Sequence, residues 1–405
     1  MFAALIVFGT ACDTSAPSTS AVRSFVQVDV ISPDDYPFYG ALATGDVDGD
    51  GDPDLLVSGV NRELGQDRAF EQRVFLNDEG RFRAAALLPE DLARRAGRSQ
   101  LGDYDGDGDA DILFGSLDSG PSVVRVYPSL GARFGTGIDI ASERTSLLRW
   151  LDIDGDGDLD VATIDRANCE TGLAIYRNDR GAFTALAPVP GAGLGFLEPG
   201  DVDGDGDLDL IAGGYESGCN FPSPGVTTLF RNERGTFVAS DLGLEPITGS
   251  RTIAWLDADG DGDQDLLYTG SCVEVGGGCA ATFDEVTALY RNDGGRLTRT
   301  PLDLGRITGV RGVAVADYDG DGDDDFAAFG VTAGGEYVAG IYTSGSDGFA
   351  EVETGLTGVK DGGLAWADYD GDGNLDLLVS GSGNTNVVGD GFITVLRQVL
   401  GSEET

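Results

Sequence analysis

A nine-residue stretch of alternating aspartate recurs seven times along this chain, and no other feature restricts its fold as strongly. The copies read DVDGDGDPD, DYDGDGDAD, DIDGDGDLD, DVDGDGDLD, DADGDGDQD, DYDGDGDDD and DYDGDGNLD, starting at Asp46, Asp103, Asp152, Asp201, Asp257, Asp317 and Asp368. Successive copies are 57, 49, 49, 56, 60 and 51 residues apart. A period near fifty residues means one supersecondary unit per copy, and such a unit cannot bury its apolar face alone. An apolar run precedes each copy, as in TIAWL (252–256), and another follows it, as in DLLYTG (265–270). After a variable loop comes a third run, as in LAIYRN (173–178), TTLFRN (227–232) and TALYRN (287–292). A glycine-bearing turn then leads to a fourth run such as AFTAL (182–186). Each run has strand length and turn residues at its ends. The predicted fold class is therefore all-β: seven four-stranded antiparallel blades packed radially into a β-propeller, which protects the edges that an isolated small sheet exposes.

The two ends of the chain fit a closed ring. The seventh unit supplies LLVSG and FITVLRQVL but no fourth run, whereas RSFVQVDV (23–30) matches fourth runs such as GTFVASDL (235–242). The N-terminal segment is expected to complete the last blade. A linear solenoid would instead need a cap at each end.

At 405 residues and 41% hydrophobic content, the chain has ample material for a core. Its 26 basic and 70 acidic residues leave a net charge of −44, which argues against nucleic acid or an anionic membrane surface as a partner. Half of the acids, 35 of 70, lie within the nonapeptides, so the rest of the chain carries only 26 − 35 = −9. Histidine is absent and Lys360 is the single lysine. Imidazole acid–base chemistry and histidine-ligated metals are thereby excluded.

The first twelve residues, MFAALIVFGTAC, form an apolar run too short to span a bilayer, followed by the polar DTSAPSTSA. Residues 1–11 are expected to be a processed export segment, 12–22 a flexible tether, 23–400 the propeller and 401–405 a tail. GTAC resembles a bacterial lipobox, which implies a lipid on Cys12, an envelope or cell-surface location and no other membrane attachment; the alternatives are another secretory signal, with a secreted product, and an uncleaved apolar end, and a monomer is expected. The remaining Cys169, Cys219, Cys272 and Cys279 are even in number, as in disulfide-bonded exported proteins. Of three possible pairings, Cys272–Cys279 and Cys169–Cys219 are favoured; a zinc site is the alternative, with no matching spacing.

Carboxylates at alternate positions of a tightly turned loop converge on one point, where a hard cation taking six to eight oxygens is the natural occupant. Oxygen-only donors at this density select Ca²⁺, up to seven ions in all, over zinc or copper. The expected ligands at position one are Asp46, Asp103, Asp152, Asp201, Asp257, Asp317 and Asp368. At position three they are Asp48, Asp105, Asp154, Asp203, Asp259, Asp319 and Asp370. Position five holds Asp50, Asp107, Asp156, Asp205, Asp261, Asp321 and Asp372, and position nine Asp54, Asp111, Asp160, Asp209, Asp265, Asp325 and Asp376. Asp52, Asp109, Asp158, Asp207, Asp263, Asp323 and Asn374, at position seven, are expected to bind through their carbonyls. Asp324, an extra acid in the sixth copy, is expected to be solvated. An EF-hand is excluded, because position twelve holds Val57, Phe114, Thr163, Ala212, Tyr268, Ala328 and Val379 and the flanks are strand-like. Aspartate and glycine as plain turn formers would explain one copy but not seven.

FYGALATGDVDGDGDPDLLVSG (38–59) and its six relatives resemble FG-GAP repeats, also described as VCBS repeats, found in integrin α-subunit heads and bacterial surface proteins. The resemblance implies a seven-bladed propeller with Ca²⁺ between the first and second strands of each blade, and a ligand face opposite the calcium loops. That face would carry long variable loops, where Tyr36, Phe38, Tyr39, Arg62, Arg68, Tyr215, Asn220 and Phe221 are candidate contacts. The leading expectation is a calcium-binding recognition module for a protein or glycan. The alternatives are a polysaccharide-degrading enzyme, for which Asp165, Glu170 and Glu216 are the available acids, and a scaffold in an envelope complex. No nucleophile-elbow motif or spaced carboxylate pair supports an enzyme.

Overall fold

The computed structural model describes residues 23–28, 31, 38–61, 69–116, 123–131, 133–142, 145, 147–165, 172–193, 195–215, 225–240, 242–244, 247, 252–272, 284–345, 348–356, 358–382 and 391–400. The expected export segment, tether and tail, Cys12, Cys169, Cys219 and Cys279 lie outside the described residues, as does the side chain of Cys272.

Seven antiparallel sheets are present, six of four strands and one, in blade three, of five; each is built from one sequence repeat, and the last adds a strand from the N-terminal segment. Blade one comprises Phe38–Gly45, Asp54–Asn61, Ala69–Leu76 and Arg83–Ala85, in that spatial order. Blade five repeats the plan with Ile253–Leu256, Asp265–Cys272, Asp284–Asn292 and Leu297–Thr300. In blade three the two-residue strand Val189–Pro190 extends the outer edge by pairing with Gly172 and Leu173. Helix among the described residues is confined to Glu90–Ala93, between blades one and two.

The second strand of each blade lies against a neighbouring blade on both faces, which explains why its sequence is continuously apolar rather than alternating. Asp111–Ser116 and Asp325–Val331 are buried at six successive positions. Among the described residues, seven apolar clusters form, one at each interface between successive blades. The cluster joining blades seven and one holds Leu378, Ile393 and Val395 against Leu55, Val57 and Phe75, so the ring is closed. The innermost strands touch in the same cyclic order, with Lys360–Ala367 beside Phe38–Gly45.

The closing strand is the one expected. Arg23–Val28 pairs antiparallel with Gly391–Leu400 and forms the outer edge of blade seven. Phe25 lies 5.6 Å from the Tyr318 ring and 6.2 Å from Trp366, and the Arg23 guanidinium donates to the Tyr318 carbonyl at 2.7 Å. The N-terminal strand thus grips blade six as well as blade seven.

Candidate functional site

Each nonapeptide forms the loop from the first to the second strand, so all seven stand on one face of the ring. The turn is made by the two glycines. Those at position four have φ between 68° and 75° and those at position six between 88° and 99°, a region costly for any residue with a Cβ. The position-one carboxylate organises the coil, one oxygen accepting the position-six N–H at 2.9–3.1 Å in every copy. Position five accepts the position-seven N–H at 2.9–3.0 Å. Position nine begins the second strand, and in all seven blades its Oδ1 accepts, at 2.6–2.8 Å, a backbone N–H at or just past the end of the third strand.

The loops bring together the carboxylates singled out by the repeat. Oxygens of Asp46, Asp48 and Asp50 lie within 4.8 Å of one another, as do those of Asp103, Asp105 and Asp111 and of Asp152, Asp154 and Asp160; four further groups are similar. The position-seven side chains take a different task. Asp52, Asp158, Asp207 and Asp263 turn outward to accept the N–H of Glu79, Arg180, Arg234 and Gly294, fixing the turn between third and fourth strands.

Burial of so much negative charge shows in the titration of the carboxyls. Asp54, Asp111, Asp160, Asp325 and Asp376 are pushed up to about 7 and Asp209 to about 6, mainly by burial, against the lowering effect of their backbone hydrogen bonds. Asp48, Asp105, Asp154, Asp259, Asp319 and Asp370 are also raised, first by burial and then by neighbouring aspartates. Asp325 Oδ2 and Asp376 Oδ2, in residues with no exposed surface, meet no donor, and Asp48 Oδ1 and Asp370 Oδ1 are likewise shut from solvent without one. Convergent carboxylate oxygens, several of them without a donor, are the donor set that a hard cation takes.

A second set of residues was not singled out from the repeat. At or within one residue of the end of the third strand, blades one, three, four and five carry Asn77, Asn178, Asn232 and Asn292. Each side chain donates to the position-two carbonyl of the preceding blade's loop, respectively Tyr369, Tyr104, Ile153 and Val202, at 2.7–2.9 Å. Ser129 on Val47 and Gln398 on Tyr318 do the same for blades two and seven. The signal was available, since asparagine follows arginine at the same place in LAIYRN, TTLFRN and TALYRN. Between blades five and six, Asp324 takes over: its carboxylate accepts the Asp257 N–H at 2.9 Å and its own N–H donates to the Asp257 carbonyl at 2.8 Å. The expectation that Asp324 is solvated is therefore corrected. It is part-buried between two loops, and that burial raises its carboxyl.

The opposite face carries the connections from second to third strands. Tyr36, Arg62, Arg68, Asn220, Phe221, Glu170 and Glu216 lie outside the described residues, as do the side chains of Phe38, Tyr39 and Asp165. By backbone, Phe38 and Tyr39 belong to the first strand of blade one rather than to a loop, paired with Asn61 and Val60. Tyr215 closes the second strand of blade four, paired with Gly225. Near the axis, Arg149 binds Glu198 of the next blade at 2.6 Å.

The FG-GAP-like repeat profile matches residues 152–212, 201–268 and 279–328, and the FG-GAP repeat profile matches residues 38–63. No curated protein matches the chain. Among solved structures, a rhamnogalacturonan lyase from Bacillus licheniformis aligns with a TM-score of 0.52 at 15% identity, over 92% of this chain and 75% of that one. The rhamnogalacturonan lyase YesW aligns at 0.51 and 14%, over 89% and 71%. An Agrocybe aegerita lectin that recognises non-reducing terminal N-acetylglucosamine aligns at 0.49 and 17%, over 82% and 79%. At these identities the likeness is one of fold. Repeat profiles falling on five of the seven aspartate loops, and a ring of seven blades each built on such a loop, make this chain an FG-GAP repeat protein with a propeller arrangement.

Proposed function

We propose that this protein is a calcium-stabilised recognition propeller acting outside the cytoplasm, with the aspartate loops holding Ca²⁺ and the opposite face binding a glycan or protein. The carrying observation is the convergence of carboxylate oxygens in the loops, as at Asp103, Asp105 and Asp111, together with buried carboxylate oxygens that meet no donor, Asp325 Oδ2 and Asp376 Oδ2 foremost. Positions one, three, five and nine would bind through carboxylates and position seven through its carbonyl. The ion would supply positive charge at the point where each loop concentrates negative charge. Extracellular millimolar calcium suits surface sites of this openness.

The calcium loops and the third-to-fourth turns occupy one face, which leaves the longer second-to-third connections free for contact on the other. Because fold neighbours include two rhamnogalacturonan lyases, glycans are the first ligand class to screen. A glycan array probed with the full chain in 2 mM Ca²⁺ (~10 times a typical extracellular dissociation constant) and again in EDTA tests the reading. Retention of a defined glycan class in calcium, lost in EDTA, is the expected result. No glycan bound, together with a stable stoichiometric protein partner in pull-downs, would turn the reading toward a scaffold. Depolymerisation of a bound glycan would mark an enzyme.

A further inference from the structure

The seven loops share their aspartates but not the residue that faces them from the third strand. The position just before the conserved third-strand anchor is Leu76, Pro128, Arg177, Arg231, Arg291, Thr343 and Arg397 in blades one to seven. From this position four blades present a guanidinium to the loop and three present none, although Arg83 and Arg23 act on Asp48 and Asp319 of blades one and six from the outer strands. In blades three and seven it stays at a distance: Arg177 is 3.9 Å from Asp154 and is engaged by Asp179 at 2.9 Å, and Arg397 is 3.8 Å from Asp370. In blade four Arg231 is bonded to Asp203, at position three, and makes no ion pair with position nine.

Blade five differs in kind. Arg291 Nη1 lies 2.5 Å from Asp265 Oδ2, at position nine, and 3.2 Å from Asp259 Oδ2, at position three. One nitrogen thus bridges the two carboxylates that converge on the loop centre, and the Asp265 side chain it satisfies is 1% exposed. The guanidinium is held there by its neighbour. Asn292 is tied through its N–H to Asp265 Oδ1 at 2.8 Å and through its side chain to Val202 and Gln264 carbonyls at 2.8 and 3.0 Å. In blade six the residue at the arginine position is Thr343, an uncharged hydroxyl that lies 3.4 Å from Asp319 Oδ2 and brings no positive charge to the loop. A guanidinium cannot be deprotonated in a protein, so its positive charge is permanent. A divalent ion brought to the same two oxygens would meet that charge at contact distance.

We propose that Arg291 is the built-in cation of blade five, replacing calcium there, so that the full complement is six ions rather than seven. The inference rests on the calcium reading above and adds to it that one repeat has exchanged a diffusible ion for a side chain. The loop of blade five would then keep its form in the absence of calcium, a fixed point beside the six loops that need the ion.

Counting bound calcium on the full chain by native mass spectrometry, at one fixed free-calcium level, tests this directly. Wild type is expected to carry six ions, Arg291→Gln seven and Thr343→Arg five. The Gln variant is further expected to melt lower than wild type in EDTA and to match it in calcium, a pattern that plain loss of packing would not produce. Equal counts in wild type and Arg291→Gln, with calcium bound to both, overturn the inference and leave the calcium reading intact. Wild type carrying no calcium overturns both. If the Gln variant fails to fold, the Thr343→Arg count decides: one ion fewer supports the inference, and an unchanged count overturns it.

Discussion

The ninth-position aspartates hold a buried charge at the start of the strand that each blade shares with both neighbours. Their carboxyls sit at about 7 in five blades and about 6 at Asp209, against an ordinary value of 3.8. Between those values the folded, cation-free chain retains protons that the unfolded chain has released. The stability that these carboxyls contribute without a cation is therefore fully present below pH 3.8 and is lost as pH rises through about 7. A divalent cation replaces those protons and reverses the slope. In EDTA the melting temperature is expected to be higher at pH 5 than at pH 8, and the gain on adding calcium larger at pH 8. Overall repulsion among the acids pushes the same way, so the control is Asp325→Asn, which removes one buried charge at constant shape. It should raise the pH 8 midpoint in EDTA and lower it in calcium; a midpoint unmoved in both media would show that Asp325 bears no such charge. At this scale the aspartates were legible because spacing alone implies convergence. The asparagine latches were not, since the Asn77–Tyr369 bond joins residues 292 apart, a separation that local pattern does not report.

At the scale of strands, closure depends on one short segment. Arg23–Val28 makes a six-residue register with Gly391–Leu400, and its Phe25 covers the stacked pair Tyr318–Trp366, whose rings lie 5.5 Å apart. Removing it exposes the edge of blade seven and uncovers apolar surface at the interface with blade six. Deletion of residues 23–28 is expected to lower the midpoint of the whole molecule in one cooperative step, with no separate early transition for blade seven. The milder Phe25→Ala should cost about 1–2 kcal/mol, because Phe25 is only part-buried. Full stability after the deletion would mean that the ring does not need this strand. The strands themselves were readable because the same pattern recurs seven times, and a weak run such as Arg83–Ala85 is recognised by its place after the turn rather than by its three residues. Phe38 and Tyr39 fall among the variable-loop residues by sequence, but by backbone they pair with Asn61 and Val60 and belong to the first strand of blade one.

For the molecule as a whole, half of the acidic residues stand on one face of a ring whose loops touch. Ala110 donates to the Asp46 carbonyl at 2.5 Å across the boundary of blades one and two, and Asp324 binds Asp257 across that of blades five and six. Loops this close lie within the Debye length of about 8 Å at physiological salt, so their charges are felt by their neighbours. Six calcium ions add +12 and take the net charge from −44 to −32. An ion present at about ten times its dissociation constant stabilises the folded form by about 1.4 kcal/mol per site. Six such sites sum to about 8 kcal/mol, comparable to the entire stability of an ordinary domain. Chelation is accordingly expected to lower the melting temperature by at least about 10 °C. Sodium chloride at about 1 M, where the Debye length shrinks to about 3 Å, should return only part of that loss, because screening relieves repulsion between loops but cannot coordinate the unsatisfied oxygens of Asp325 and Asp376. Magnesium should also fall short, since it gives up its water reluctantly and demands a tighter octahedron than these loops present. The transition should stay single in all these media, because each of the seven apolar clusters is shared by two blades and none can be lost alone. An unchanged midpoint in excess EDTA would remove calcium from the account and leave the propeller standing on its interblade cores.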